Sequence, residues 1–293
     1  MSSGRATAIG FGAVLLWALL ALFTVNAAGV PPFQLSAMCF AIGGTLGIAW
    51  IVLSGRGFGA TAGLPPVVWA VGVGGLFGYH FFYFTALGLA PPAQASLIAY
   101  LWPLLIVLFS GLLPGERLTA RHVTGALIAF AGAALVVAGP RTGISPEFLP
   151  GYAAAGACAL IWSGYSVLSR RLGTASTDSV AFFCLATAIL SAIAHLALET
   201  TVWPEGARGW AAVLALGFGP VGLAFYLWDI GCKRGDIQLL GTLSYAAPLI
   251  STIVLVAAGE AAFSWSLLLA ALLITGGALI AARAGRPGPR TRP

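Results

Sequence analysis

Apolar stretches of about twenty residues, almost free of charge, recur along the chain near 7–26, 33–54, 67–89, 93–113 and 121–139. After a polar break they resume near 151–169, 178–198, 209–232, 237–258 and 263–282. A helix needs roughly 20 apolar residues to cross the hydrocarbon core of a bilayer, so each stretch predicts one spanning helix. The short in-out alternation of a membrane β-barrel is absent from these stretches. The predicted fold is an all-α integral membrane protein with ten transmembrane helices.

Composition agrees. Of 293 residues, 8% are charged and 59% are apolar, with 39 glycines and 17 prolines besides. A soluble domain carries about 25% charged residues, and a mean hydropathy of +0.98 leaves too little polar surface to face water. The few charges then orient the helices. With the N-terminus cytoplasmic, Arg5, Arg56, Arg117, Arg121, Arg170, Arg171, Lys233, Arg234, Arg283, Arg286, Arg290 and Arg292 all fall inside, leaving Arg141 and Arg208 outside. Basic residues favour the cytoplasmic side, so both termini are predicted to be cytoplasmic. Topology thus explains the net charge of +6, and no nucleic-acid partner is called for. A secretory leader ending near Val25-Asn26-Ala27 is the weaker reading of the first stretch. Its apolar run is long for a leader, and its removal would leave nine spans.

The halves echo each other. Tyr100-Leu101-Trp102-Pro103-Leu104 returns as Tyr245-Ala246-Ala247-Pro248-Leu249 at an offset of 145, and Gly132 as Gly277 at the same offset. Gly115-Glu116 returns as Gly259-Glu260 and Gln94 as Gln238 at 144, and Phe82-Tyr83 as Phe225-Tyr226 at 143. Trp17 has a counterpart in Trp162. Residues 1–140 and 151–284 therefore read as two five-helix repeats, joined by a connection at 141–150 and followed by a basic tail at 285–293. Five spans per repeat is an odd number, so the second repeat must be inverted relative to the first. Inverted repeats mark alternating-access carriers, whose binding site lies at the midplane between halves.

The run Pro103…Leu113-Pro114-Gly115-Glu116-Arg117-Leu118-Thr119…Gly125…Gly132, with its echo Pro248…Gly259-Glu260…Gly277, resembles the EamA repeat of the drug/metabolite transporter superfamily. The resemblance covers both halves, and the aromatic-rich middle is similar to the branch of aromatic amino acid exporters. It implies ten helices, a central substrate cavity, and export of amino acids and related metabolites from the cytoplasm across the inner membrane. The second repeat departs in two respects: its glutamate lies one residue closer to the proline, and it lacks the basic partner that Arg117 offers Glu116.

Candidate pathway residues sit near the centres of the predicted spans. Pro103 and Pro248 would free the carbonyls of Ala99 and Ser244, and Pro220 among glycines predicts a third hinge. His80 is the ionisable side chain nearest a span centre, flanked by Tyr79 and Tyr83 one helical turn apart. Trp17, Trp102 and Trp162 lie too deep for an interfacial belt, and large rings with one polar edge suit an amphipathic solute. Ser96, Tyr100, Ser163, Gln238, Ser244 and Tyr245 add hydroxyls and an amide without charge. Packing inside the bundle is the alternative use of each of these side chains.

No carboxylate or arginine falls at the predicted midplane, which argues against phosphorylated substrates. Asp229 and Lys233 read as a snorkelling surface pair, and Glu116 and Glu260 as loop residues that cap helices or bond across a gate. Gly43…Gly47 and Gly74…Gly78 predict packing seams within a monomer. Cys39, Cys158, Cys184 and Cys232 lack metal or redox spacing, so neither metal nor cofactor is expected. The sequence therefore predicts a carrier of amino acids with broad specificity, embedded in lipid and acting as a monomer. His80-linked proton antiport of other metabolites or drugs, an intramembrane enzyme, and a channel are the competing readings.

Overall fold

The computed structural model describes residues 1–59, 61, 63–137, 145–173, 175–257, 259 and 265–284. Arg141, positions 141–144 of the connection, Glu260 and the tail 285–293 lie outside the described residues.

In the first half, α1 (Ser3–Trp17) and α2 (Leu20–Asn26) form one broken span, followed by α3 (Pro32–Leu53) and α4 (Pro66–Leu89). A second broken span, α5 (Pro92–Ala99) and α6 (Trp102–Ser110), precedes α7 (Ala120–Val137). The second half runs through α8 (Leu149–Arg171), α9 (Ser179–Leu198) and α10 (Gly206–Phe218), which passes through a π turn at Gly219–Leu223 into α11 (Ala224–Arg234). It closes with α12 (Ile237–Leu243), α13 (Ala246–Ala257) and α14 (Trp265–Ala282).

Local chemistry sets the boundaries. Helices α3, α4 and α5 each start on the second proline of a Pro-Pro pair, with Pro31, Pro65 and Pro91 extended before them. A proline holds its predecessor out of the helical region, and at the first helical position its missing N–H costs nothing. The Asp236 carboxylate caps α12 by accepting from the Leu239 amide at 2.9 Å. The amides of Phe33 and Gln34, which open α3, donate to Glu199 at 2.9 and 3.1 Å. That carboxylate also meets His195 Nδ1 at 2.9 Å.

Among the described residues, eight helical segments are long and apolar enough to cross a membrane, counting each broken span as one. The chain is thus a multi-pass membrane protein. Helices α7 and α8 fall outside that set, and for α8 the reason is visible. It is rich in glycine, serine and aromatic residues, and Tyr152, Trp162, Ser163, Tyr165 and Ser166 are all buried. Its polarity faces neighbouring helices, which relieves it of the need to be greasy all round.

Packing pairs the halves: α7 with α14, α3 with α9, α1 with α11, and α4 with α8. Gly125 and Gly277 meet backbone to backbone, while Gly132 faces Ala270 one step along. The two helices therefore run antiparallel. Adding 145 to the Gly132–Ala270 contact's first member gives Gly277, and subtracting it from the second gives Gly125, so exchange of the halves carries one contact into the other. Gly10 likewise abuts the Gly231 backbone. Their counterparts Ala155 and Ala86, each 145 residues away, are both fully buried in one small core. Gly43 and Gly47 form a seam, against Gly222 and Tyr226. On α4 the close contacts come at Gly72 and Gly75, against Phe183 and Tyr165; nothing lies within 4 Å of a Cβ placed on Gly74.

Candidate functional site

Four tryptophans, two from each half, converge where α1, α6, α8 and α11 meet. Trp17 lies 6.2 Å from Trp102, 5.7 Å from Trp162 and 5.0 Å from Trp228, centroid to centroid. Trp102 and Trp162 cross edge-on at 6.4 Å, and Trp162 stacks on Trp228 at 6.1 Å. Such ring pairs add about 0.5–1.5 kcal/mol each beyond burial. Trp17 and Trp162 are sequence counterparts, so this contact sits where exchange of the halves would bring one onto the other.

The cluster continues as a ladder. Tyr83 stacks on Tyr79 at 5.9 Å, Tyr79 leans on Trp162 at 5.3 Å, and Trp162 passes the series to Trp228. Burial grades along it. Tyr83, Tyr79, His80, Ser96, Tyr100 and Trp17 are half-buried, whereas Trp102, Trp162 and Trp228 are buried. Tyr83 and Ser96 hydroxyls stand 3.5 Å apart. The ladder therefore offers rings and hydroxyls on one side and closes on the other, where Trp228 Nε1 donates to Ser166 at 3.1 Å.

Broken helices shape this space. The break between α5 and α6 falls at Tyr100–Leu101 and that between α12 and α13 at Ser244–Tyr245, each just ahead of the repeated proline. Pro103 and Pro248 thus sit in the first turn of a new helix, where no N–H is needed. Pro220 lies in the π turn, and its carbonyl accepts the Trp17 indole N–H at 3.0 Å. Tyr226 donates to the Gly43 carbonyl at 3.0 Å from the same region.

The remaining predicted residues are placed as follows. His80 Nδ1 lies 2.7 Å from the Leu76 carbonyl, which can only accept, so that nitrogen carries a proton. Its ring abuts Phe40 at 4.9 Å. Ser163 donates to Ala159 at 2.7 Å and Ser244 to Leu240 at 2.8 Å, so both hydroxyls are spent on their own helices. Gln238 is buried away from the ladder, its amide 3.5 Å from the Arg117 carbonyl. Tyr245 is fully buried and its hydroxyl accepts the Leu104 amide at 3.0 Å. Sequence reasoning did not assign Trp228, Phe225 and Ser166 to the site. Trp228 follows Phe225 by one helical turn, a spacing that could have found both.

One expectation is corrected. Asp229 and Lys233 are an ion pair at 2.8 Å with side-chain exposures of 3% and 7%, not a surface pair. Thr177 donates to Asp229 at 2.7 Å and Lys233 to the Ala175 carbonyl at 2.9 Å, so the pair is paired and hydrogen-bonded as buried charges must be. Span position alone placed them near lipid headgroups; the connection between α8 and α9, which supplies Ala175 and Thr177, folds over them. Nearby, Arg170 pairs with Glu116 and donates to the carbonyls of Cys232 and Gly235 at 3.0 and 2.8 Å. These charges tie the α6–α7 connection, α8 and the end of α11 together at the end of the bundle that also holds Arg5 and Arg56.

The EamA-like transporter family model matches residues 5–138 and again 149–283. The chain is 59% identical over 284 residues to the aromatic amino acid exporter YddG of Ancylobacter novellus, covering 96% of this chain and 98% of that protein. It is 26% identical over 303 residues to the aromatic amino acid exporter YddG of Salmonella typhimurium, covering 96% and 97%. A solved crystal structure at 57% identity has a TM-score of 0.93 over 98% of this chain and all of that one.

Proposed function

The chain belongs to the EamA-like transporter family, and on that premise we propose that it is a secondary carrier of amino acids, aromatic ones included. It works by alternating access across the inner membrane, in the direction of export. Ten helices cross the bilayer as two inverted repeats, 1–140 and 151–284, linked by 141–150, with both termini and the 285–293 tail cytoplasmic. The protein acts as a monomer without cofactor and is not an enzyme.

The observation that carries this reading is the graded aromatic ladder between the halves. Its half-buried members, Trp17, Tyr79, His80, Tyr83, Ser96 and Tyr100, receive the substrate from the end opposite the charged groups around Arg170. A ring side chain stacks on the tyrosines, while hydroxyls and His80 meet the zwitterionic backbone. Trp102 and Trp162 form the floor. Ser163, Ser244, Gln238 and Tyr245 enter the pathway after the helices have rearranged at Pro103, Pro220 and Pro248. With no fixed charge among the described residues in the ladder, discrimination rests on fit and specificity is broad.

Flux of labelled tryptophan, phenylalanine, nucleosides and polyamines into proteoliposomes tests this, with and without a pH gradient. Saturable amino-acid flux indifferent to the gradient is expected. Flux that requires the gradient and disappears in His80→Ala would favour antiport instead, and flux that never saturates would favour a pore.

A further inference from the structure

Tyr245 and Tyr100 are counterparts 145 residues apart, each standing at the break of its own span, yet they do different things. The Tyr245 ring is fully buried against Phe130 at 5.8 Å. Its hydroxyl accepts from Leu104, an amide that the break has deprived of its helical acceptor. An orphan N–H in an apolar interior is costly, so this hydroxyl caps α6 in its present direction. Tyr100 is half-buried, and its hydroxyl makes no hydrogen bond among the described residues. The amide that exchange of the halves would assign to it belongs to Leu249. The wall differs too: position 275, the counterpart of Phe130, is a threonine.

We propose that Tyr245 and Tyr100 are positioning residues that act as alternating caps on the two broken spans. In the conformer described here Tyr245 holds the Leu104 amide and the charged end is closed. In the opposite conformer Tyr245 releases Leu104, α6 swings about Pro103, and Tyr100 takes the Leu249 amide while α13 turns about Pro248. Phe130 without an aromatic counterpart favours the first arrangement. This rests on the carrier reading, because only two exchange-related conformers give the unused hydroxyl a task.

The full chain in lipid nanodiscs tests it, with Cys39, Cys158, Cys184 and Cys232 replaced by alanine. Spin labels go on exposed pairs, Leu112→Cys with Arg234→Cys at the charged end and Val25→Cys with Leu149→Cys at the other. With saturating tryptophan the parent protein should show two distance populations for each pair. Tyr245→Phe keeps the ring and loses the acceptor, so the population open at the charged end should rise about three- to tenfold relative to the closed one. Tyr100→Phe should lower that ratio by a similar factor and leave thermal stability unchanged, since it has no bond to lose in the resting conformer. Should Tyr245→Phe fail to fold, Tyr100→Phe alone decides. Shifts in the same sense for both variants, or a Tyr100→Phe ratio equal to the parent's, overturn the proposal. A single population in the parent at every tryptophan concentration overturns the carrier reading itself.

Discussion

Trp17 donates its indole N–H to the carbonyl of Pro220 at 3.0 Å, joining the first span to the π turn of the second half. The same ring touches Trp102, Trp162 and Trp228. Trp17→Phe keeps most of the ring and removes the bond, a loss of about 1 kcal/mol. It should lower the initial rate of amino-acid flux roughly three- to tenfold with folded protein retained. Trp17→Ala should instead lower stability by about 3–5 kcal/mol, read as thermal unfolding in detergent.

Arg170 bonds Glu116, the Cys232 carbonyl of α11 and the Gly235 carbonyl just beyond it, so one side chain ties three segments at the charged end. Arg170→Ala should expose the Cys232 thiol, which is fully buried, and raise its rate of alkylation by about tenfold or more through local opening. Cys184 serves as the internal control. Equal rates at Cys232 before and after the substitution would mean that something other than Arg170 closes this end.

The Asp229–Lys233 pair predicts an asymmetric mutant series. Lys233→Ala strands a buried carboxylate and should cost about 3–5 kcal/mol. Replacing both members, Asp229→Leu with Lys233→Met, should be far milder, because neither charge is then left alone. Comparable losses in the single and double variants, by thermal unfolding, would place the pair at the surface after all.

Glycine contacts separate seams from lipid-facing positions. A Cβ at Gly231 would lie 2.6 Å from the Gly10 Cα, so Gly231→Val should lose about 1–3 kcal/mol or the fold itself. Gly74→Val should be tolerated, since nothing lies within 4 Å of the added carbon. Monodispersity on size exclusion and the unfolding temperature compare the two.

Much of the architecture was legible because lipid simplifies the code. Apolar runs located the helices to within a few residues, as 33–54 against Pro32–Leu53 and 178–198 against Ser179–Leu198 show. The doubled family match has its mark in the sequence, the two Tyr-x-x-Pro-Leu runs, each of which falls at a helix break. What sequence could not place is which face a helix turns inward. The Gly74…Gly78 spacing suits a seam, yet the close contacts come at Gly72 and Gly75. Asp229 looked superficial from its distance to the span end, and the α8–α9 connection that supplies Thr177 lies over it. The sequence led one to expect Ser163, Ser244 and Tyr245 as midplane groups, whereas their commitment to carbonyls and to Leu104 depends on rotamers and on a neighbour 141 residues away.

Counterflow tests the central claim most directly. Proteoliposomes preloaded with unlabelled phenylalanine should take up labelled tryptophan faster than empty ones, transiently and to above equilibrium, because a site that faces one side at a time returns faster when occupied. Uptake that is slower or unchanged with preloading, and linear in concentration, would contradict an alternating-access carrier and point to an open pathway between the halves.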